Sequence, residues 1–249
     1  MTVRHDDLTV SWLGYATVRI ESDDGTVVYL DPGRYGTLTG DWDGDVSHPP
    51  GREYDTRDGD LVLVTHDHHY DSDGVRRVAN DDATVVAYEA VDAESIRQGG
   101  RDVDDLESLP YDVTRVEYGD ELTVSGVDLE VRPAYNHADG RNVDTEGDPI
   151  HPEGFGCGYR FEVDGTSVFW PGDSDVLDSH ADRSVSLFLP PIGKNYTMDR
   201  TEAASLAEAI DPDLVCPIHY NTFPELEADS RAFAADVAAR GVPVVLDET

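Results

Sequence analysis

Lysine is almost absent from this sequence. Lys194 is the single lysine, and 18 basic residues stand against 53 acidic ones, which gives a formal net charge of −35 at pH 7. A chain of this sign repels nucleic acid and anionic membranes, so we expect neither as a partner. The acidic residues are spread through every segment, as in proteins of salt-loving archaea, whose concentrated salt screens the repulsion among like charges. We therefore expect an acidic, halophilic protein.

Cysteines, long apolar runs and linkers are also scarce. Cys157 and Cys216 lie in apolar, strand-like contexts without a CxxC pair, which predicts buried thiols in a reducing cytoplasm. No apolar run approaches the ~20 residues of a membrane span, and the N-terminus lacks the layout of a signal peptide. No Ser/Gly/Pro-rich linker, low-complexity tract or repeat divides the chain, so we interpret residues 1–249 as a single domain.

Periodicity predicts mainly strands early in the chain and an alternation of strands and helices towards its end. Strand patterns occupy 8–13, 16–20, 27–30, 61–64, 84–88, 113–118, 122–124, 127–131, 186–189, 214–217 and 242–246, and helix patterns 73–79, 93–98, 201–210 and 230–240. A further strand ends at residues 133–137, and two more flank the Asp164-Gly165 turn, the second of which ends at residues 172–174. This order is typical of an α/β fold with mixed sheets covered by helices. The long polar segment 34–60 has no periodicity, and loops of that length often form a lid or rim.

The stretch LVLVTHDHHYD, residues 61–71, holds three of the nine histidines within four positions. Its first four residues are a continuous apolar run, typical of a strand buried on both faces. His66 and His68 follow directly, two positions apart, so a turn that leaves the strand can direct both rings at one point. Neutral imidazole is a good ligand for zinc and neighbouring metals.

Other polar residues share this position at the end of a predicted buried strand. His137, Asp173 and His219 each follow one, as His66 and His68 do. Loops at strand ends, held by a rigid sheet, are where α/β folds place their sites. Four imidazoles and one carboxylate that converge there predict a first-row metal centre.

The order of these residues resembles the metallo-β-lactamase superfamily, and within it the metal-dependent hydrolases that include the ascorbate-phosphate lactonase-like proteins. The likeness extends from about Trp12 to Pro224. Its supporting motifs are HxH at residues 66–68, WLGYATVRI, YLDPG, PGDS, PPIGKNYTM and PIHYNTFP. It implies an αββα sandwich of two mixed sheets flanked by helices, with the metals at one edge between the sheets.

The resemblance also implies roles for the strand-end residues. His66, His68 and His137 match the ligands of the first metal, Asp173 matches the carboxylate that bridges two metals, and His219 matches the last ligand of the second. The cofactor implied is Zn²⁺, one ion or two, with Mn²⁺ or Fe²⁺ as alternatives.

The sequence departs from the superfamily's first motif, HxHxDH. Tyr70 stands where the family has Asp, and Asp71 where it has His. We interpret Asp71 as a ligand of the second metal, on a turn lengthened by one residue. Alternatively His69 supplies a nitrogen, or the site holds only one metal tightly.

The resemblance implies a hydrolytic mechanism in which a metal-activated hydroxide attacks an ester, lactone, amide or phosphoester bond. With Tyr70 in the place of the usual Asp, we expect Asp67 or Asp71 to orient the water and take its proton. The Tyr70 hydroxyl is an alternative donor to a developing oxyanion.

The loop after residue 190 supplies candidates for substrate binding. Lys194 is expected to anchor an anionic group, and Asn195, Tyr196, Asn221 and Thr222 to form the pocket wall. The remaining histidines are interpreted as solvated loop residues: His5, His48, His151 and His180.

Together these features predict a cytoplasmic, metal-dependent hydrolase of a small molecule, with no prediction of its oligomeric state. The alternative is a metal- or ligand-binding protein of the same fold with little turnover, because its motif is altered. A nuclease is disfavoured, because the chain lacks a basic groove.

Overall fold

The computed structural model describes residues 2–41 and 51–248 as two mixed β-sheets and four α-helices. The strands of the first sheet are β1 (Val3–His5), β2 (Leu8–Gly14), β3 (Thr17–Ser22), β4 (Val27–Leu30), β5 (Gly59–Val64), β6 (Ala79–Tyr88) and β7 (Asp112–Val116). Those of the second are β8 (Glu121–Val124), β9 (Val127–Ala134), β10 (Gly156–Val163), β11 (Thr166–Trp170), β12 (Leu187–Phe188) and β13 (Leu214–Val215). The helices are α1 (Ser72–Val78), α2 (Ala93–Gln98), α3 (Arg200–Ile210) and α4 (Ser230–Ala239).

Each sheet has an antiparallel part and a parallel part. The first sheet runs in sequence order from β1 to β7, antiparallel as far as β4 and parallel from there to β7. The second runs β13-β12-β11-β10-β9-β8, with parallel pairs between β11 and β13 and antiparallel pairs elsewhere. Parallel strands need both faces covered, and the continuous burial of Leu61–Val64 in β5 fits this requirement.

The two sheets are joined where β5 meets β10. The Cys157 backbone N–H donates to the Thr65 carbonyl at 3.1 Å, and the Tyr159 hydroxyl donates to the Val64 carbonyl at 2.9 Å. Gly156 lies so close to β5 that a Cβ there would stand 2.8 Å from the Cβ of His66. These contacts fix the end of β5, and the histidines that follow it, against the second sheet.

Helix starts follow local capping chemistry. Asp71 caps α1 by accepting from the backbone N–H groups of Asp73 and Gly74, and Asp92 caps α2 in the same way. The third helix begins one residue earlier than its pattern predicts, because Asp199 is its N-cap and forms a capping box with Glu202.

The structure confirms the predicted α/β fold class with two mixed sheets and helices. Both cysteines are free, buried thiols, as predicted. The predicted last strand, 242–246, is reduced to one bridge between Val215 and Val244. Part of the proposed lid, residues 42–50 with His48, lies outside the described residues. No helix among the described residues combines the length and apolar character needed to cross a membrane.

Candidate metal centre

A buried carboxylate lies at the centre of a group of imidazoles, where the strand ends of both sheets meet. Asp173 is 4% exposed and follows β11. Its Oδ2 is 3.5–3.7 Å from three imidazole Nε2 atoms, and its Oδ1 is 3.3 Å from a fourth. The histidines of this cluster are His66, His68, His69, His151 and His219.

The first part of the cluster consists of His66, His68 and His151. One nitrogen of each ring lies within 4.8 Å of the others. The closest pair is His68 Nδ1 and His151 Nε2, 3.1 Å apart. Three imidazole nitrogens at one point are the protein ligands of many catalytic zinc sites.

The second part is built on Asp173. His66, His69 and Asp173 also offer three ligand atoms within 4.8 Å of one another. His219 approaches the opposite carboxylate oxygen of Asp173 at 3.3 Å. Imidazoles therefore approach both oxygens of the carboxylate, three at Oδ2 and one at Oδ1.

Hydrogen bonds orient the rings of the first part. His151 Nδ1 is 3.2 Å from the Tyr196 carbonyl, which can only accept, so this nitrogen carries the proton and Nε2 is unprotonated. The backbone of His151 is held by Asn136, whose side-chain oxygen accepts from the His151 N–H and whose own N–H donates to the His151 carbonyl.

Asp31 orients the ring of His69. The Asp31 carboxylate is 1% exposed and accepts from His69 Nδ1, from Trp170 Nε1 and from the backbone N–H and hydroxyl of Thr65. His66 Nδ1 in turn contacts the Thr65 hydroxyl at 2.9 Å. With Nδ1 of both rings bonded in this way, Nε2 of His66 and of His69 is left facing Asp173. Such carboxylate–histidine pairs fix the tautomer of metal-binding imidazoles.

Five buried atoms of this cluster have no hydrogen-bond partner among the described residues. They are His66 Nε2, His69 Nε2, Asp173 Oδ1 and both ring nitrogens of His219. Buried polar atoms without a partner are rare, because each loses its hydration without compensation. Lone pairs of nitrogen and oxygen that converge in this way match the donor set of a first-row metal ion, so the residues present fit the metal that the sequence predicts.

The electrostatics of the cluster favour neutral imidazoles at His66, His68 and His151 and an ionised carboxylate at Asp173. Burial, reinforced by neighbouring imidazoles, lowers the pKa of His66 well below its usual value and that of His68 to about 3. Burial also lowers the pKa of His151. For Asp173 burial favours the protonated form, but the imidazoles of His219 and His69 outweigh it and hold its pKa well below the ordinary value. Neutral imidazole and ionised carboxylate are the forms that bind metal.

His219 has a strained backbone, with φ of +56°. Its N–H donates to the Tyr15 carbonyl, and its ring packs on the Tyr15 ring at 4.5 Å. Tyr15 itself has φ of +52°. Positive φ is costly for residues with a Cβ and persists where the surrounding structure enforces it, often at functional sites.

The structure does not bring His137, expected to be a metal ligand, into this cluster. Its side chain is exposed, and Nε2 donates to the Val176 carbonyl at 3.0 Å. His151, interpreted from sequence as a solvated loop residue, is 2% exposed and lies in the cluster instead. His180 is buried as well, bonded to the Pro133 carbonyl, and does not belong to the cluster.

Asp71, Tyr70 and Asp67 do not join the cluster either. Asp71 caps α1, and the Tyr70 hydroxyl donates to the Asp104 carbonyl at 2.8 Å. The Asp67 carboxylate accepts from the Asp92 backbone N–H at 2.7 Å. The alternative ligand, His69, does reach the cluster, with Nε2 3.5 Å from Asp173 Oδ2.

A cavity of about 190 Å³ opens beside the cluster. It is lined by Tyr15, Arg34, Tyr35, His68, Ile150, His151, Asp173, Tyr196 and Phe223. Of the predicted substrate-binding residues, Tyr196 lines this cavity. Lys194 and Asn195 are exposed, and Asn195 Nδ2 donates to the Glu225 carbonyl. The Asn221 side chain accepts from the Ala228 N–H, so it supports its own loop.

The strand-end pattern of the sequence points to Asp31 but not to His151. Asp31 directly follows β4, just as His66 follows β5, and the same strand-end rule that selected His66 selects it too. His151 precedes β10 rather than following a strand, so that rule excludes it. However, β10 is antiparallel to β9, and Gly156 pairs with Ala134, so the start of β10 lies at the same edge as the end of β9.

Comparison with known proteins shows the family of this chain. The family model for the beta-lactamase superfamily domain matches residues 9–219. A UPF0173 metal-dependent hydrolase of Thermococcus kodakarensis is 30% identical over 195 residues, which cover 76% of this chain and 79% of the relative. Another, from Methanopyrus kandleri, is 28% identical over 244 residues, with coverage of 95% and 94%.

Solved structures with lower identity share the fold. Igni18, a metallo hydrolase from Ignicoccus hospitalis, has a TM-score of 0.64 at 22% identity and covers 97% of this chain and 95% of its own. A Parabacteroides distasonis protein has a TM-score of 0.69 at 19% identity, with coverage of 100% and 98%. The matched domain and the relatives together show that the chain belongs to the metallo-β-lactamase superfamily and is one of its metal-dependent hydrolases.

Proposed function

We propose that this protein hydrolyses an ester, lactone, amide or phosphoester bond of a small molecule, with zinc held by the imidazole cluster and Asp173. One observation carries the proposal: unpartnered imidazole nitrogens converge on a buried carboxylate in the wall of a cavity. Sites with convergent polar groups and perturbed titration in a cleft are strong candidates for catalysis.

The donor set divides into two ligand groups. We assign His66, His68 and His151 to a first ion, and His69 and His219 with Asp173 to a second. Three imidazoles match the protein ligands of a catalytic zinc ion, which keeps one position open for water or substrate. Two imidazoles and a carboxylate also suit Fe²⁺ or Mn²⁺, so the metal is decided by elemental analysis.

Bound metal would supply Lewis acidity, which polarises the scissile carbonyl or phosphoryl group and makes water nucleophilic near neutral pH. The chain's own residues hold the ligands in place. Asp31 and Thr65 fix the rings of His69 and His66, and the Tyr196 carbonyl fixes His151. Asp173 is the carboxylate among the described lining residues of the cavity, so we assign to it the orientation of the attacking water.

The size of the cavity and the charge of the chain restrict the substrate. At about 190 Å³ the cavity is smaller than the ~300–1,000 Å³ of sites for drug-sized ligands, which favours a small metabolite. The net charge of −35 disfavours nucleic acid. Two free, buried thiols suit a cytoplasmic enzyme.

The rival function, metal or ligand binding with little turnover, depended on the altered motif at Tyr70 and Asp71. The position of His69 in the cluster weakens that rival, because His69 supplies the nitrogen that the altered motif lacks.

The test is metal content per chain by elemental analysis, together with hydrolysis of chromogenic esters, a lactone and a phosphodiester. We expect two equivalents of metal in the wild type and turnover of at least one substrate class. Asp173→Asn is expected to abolish turnover, and Asp139→Asn, at an exposed carboxylate, is the matched control. Full metal content without turnover of any class would support the binding-protein function instead.

A further inference from the structure

Arg34 places a guanidinium in the wall of the cavity beside the histidine cluster. It lies four residues after β4 and is half-buried, and it lines the cavity together with His68, His151 and Asp173. In a chain with 53 acidic residues, a cation at this place is conspicuous.

Most of the hydrogen-bonding capacity of Arg34 is unused within the described residues. One N–H of Nη1 donates to the His68 carbonyl at 2.7 Å, and Cζ lies 4.3 Å from the centre of the Tyr35 ring. A guanidinium has five N–H donors. No carboxylate of the described residues lies within ion-pair distance of Arg34, whereas Arg76 and Arg77 on the adjacent helix each pair with an aspartate.

The backbone holds Arg34 in this position. Gly33, with φ of +99°, packs against Gly74 of α1 so closely that a Cβ would lie 2.5 Å from the Gly74 Cα. The Gly33 N–H donates to the Thr17 hydroxyl, and the Thr37 N–H donates to the Arg34 carbonyl. The guanidinium is therefore presented by a fixed turn, which lowers the entropy cost of binding a partner.

We propose that Arg34 binds an oxyanion of the substrate, a carboxylate or phosphate group adjacent to the bond that is cleaved. This inference rests on the proposed function and adds the substrate class to it. Planar guanidinium recognises carboxylate and phosphate through paired, charge-assisted hydrogen bonds. The aromatic rings of Tyr15, Tyr35 and Phe223 form much of the remaining wall, so the oxyanion belongs to a molecule with an apolar portion.

Two other basic residues are candidates for binding the oxyanion. Lys194, the candidate anchor from the sequence, is exposed and is not among the cavity-lining residues. Arg101 donates to the Asp67 carbonyl at 2.8 Å and to the Tyr70 carbonyl, so it supports the histidine turn without lining the cavity. Arg34 also supports this turn, through His68, so the test must separate substrate recognition from support.

The experiment compares two esters that differ in one charge: 4-nitrophenyl acetate and the mono-4-nitrophenyl ester of succinic acid. Values of kcat and KM are measured for the metal-loaded wild type, Arg34→Gln, Arg34→Lys, Lys194→Gln and Arg231→Gln, at the lowest salt that keeps each folded by circular dichroism. Arg231 is an exposed arginine of α4 and serves as the charge-matched control.

We expect the wild type to prefer the anionic ester by about tenfold or more, through a lower KM, because charge-assisted hydrogen bonds contribute at this level. Arg34→Gln should bring the ratio of the two kcat/KM values to about one, Arg34→Lys should keep part of the preference, and Arg231→Gln should keep all of it. An equal loss for both esters in Arg34→Gln would overturn the proposal, because Arg34 would then only support the turn. The proposal would also be overturned if Lys194→Gln lost the preference for the anionic ester while Arg34→Gln retained it.

If the metal-loaded wild type cleaves neither these esters nor the lactone and phosphodiester of the first test, the proposed function fails. Whenever neither of the two esters is cleaved while metal content is intact, recognition of the oxyanion is measured by binding. Succinate is then titrated calorimetrically into metal-loaded wild type and Arg34→Gln. An increase in Kd of about tenfold in Arg34→Gln supports the oxyanion site, and equal affinities overturn it.

Discussion

His151 is expected to be a metal ligand and His137 is not, and paired alanine substitutions distinguish them. His151 Nε2 lies 3.1 Å from His68 Nδ1 and 3.7 Å from Asp173 Oδ2, whereas His137 is exposed and bonded to a backbone carbonyl. Loss of an indirect partner of a metal ligand typically lowers metal affinity by about 10–100-fold. Loss of a direct ligand should therefore cost at least ~100-fold, which corresponds to about 2.7 kcal/mol.

The assay is competition for zinc with a chelating dye, together with elemental analysis after dialysis. His151→Ala should weaken the binding of one equivalent by about 100-fold or more, and His137→Ala should bind as the wild type does. Urea denaturation of the metal-free proteins shows whether His151→Ala remains folded. Unchanged affinity in His151→Ala, or weaker binding in His137→Ala, would refute the assignment and restore the ligand set inferred from the sequence.

Four further outcomes are expected. Asp71→Ala should lower the free energy of unfolding by about 1 kcal/mol, because α1 loses its N-cap. The variant should keep the full metal content, and the loss of one equivalent would show that Asp71 is a ligand. Asp31→Asn should lower metal affinity by about 10–100-fold, because His69 loses the carboxylate that orients it. Competition with the chelating dye measures the affinity, and a value equal to that of the wild type would contradict the role of Asp31. Burial and the neighbouring His151 lower the pKa of His68 to about 3 from the 6.5 of an unfolded histidine, so the unfolded chain binds more protons between these values. The free energy of unfolding of the metal-free protein should thus fall as the pH decreases from 6.5 towards 3, and less steeply in His68→Gln, with urea titration as the measurement. Finally, the urea midpoint should rise with KCl concentration, because salt screens the repulsion within a chain of charge −35; a midpoint independent of salt would count against a halophilic surface.

Local sequence was enough to predict the cluster residues whose position depends on a single strand. His66 and His68 follow β5, Asp173 follows β11 and His219 follows β13, and all four lie in the cluster. A buried strand is recognised by its apolar run, and the chain must leave the sheet at its end, so polar residues there are placed at the sheet's edge. The same motifs were sufficient to identify the superfamily.

The roles of Tyr70 and Asp71 show where comparison of motifs fails. Alignment with HxHxDH assigns chemistry to both positions, yet Asp71 has the stronger local signal of an N-cap before a short helix. Because that helix begins directly after the turn, it is His69, held by Asp31 from a neighbouring strand, that faces Asp173.

Only the tertiary structure determined which histidine joins His66 and His68 and which residues line the cavity. His151 belongs to the site because β10 runs antiparallel to β9, which places the start of one strand beside the end of the other. Arg34 and Phe223 are 189 positions apart in the chain and still line one cavity. Apolar patterning reports which residues of each element are buried, and it holds no information on which elements become neighbours, since that depends on the pairing of strands and the packing of the two sheets.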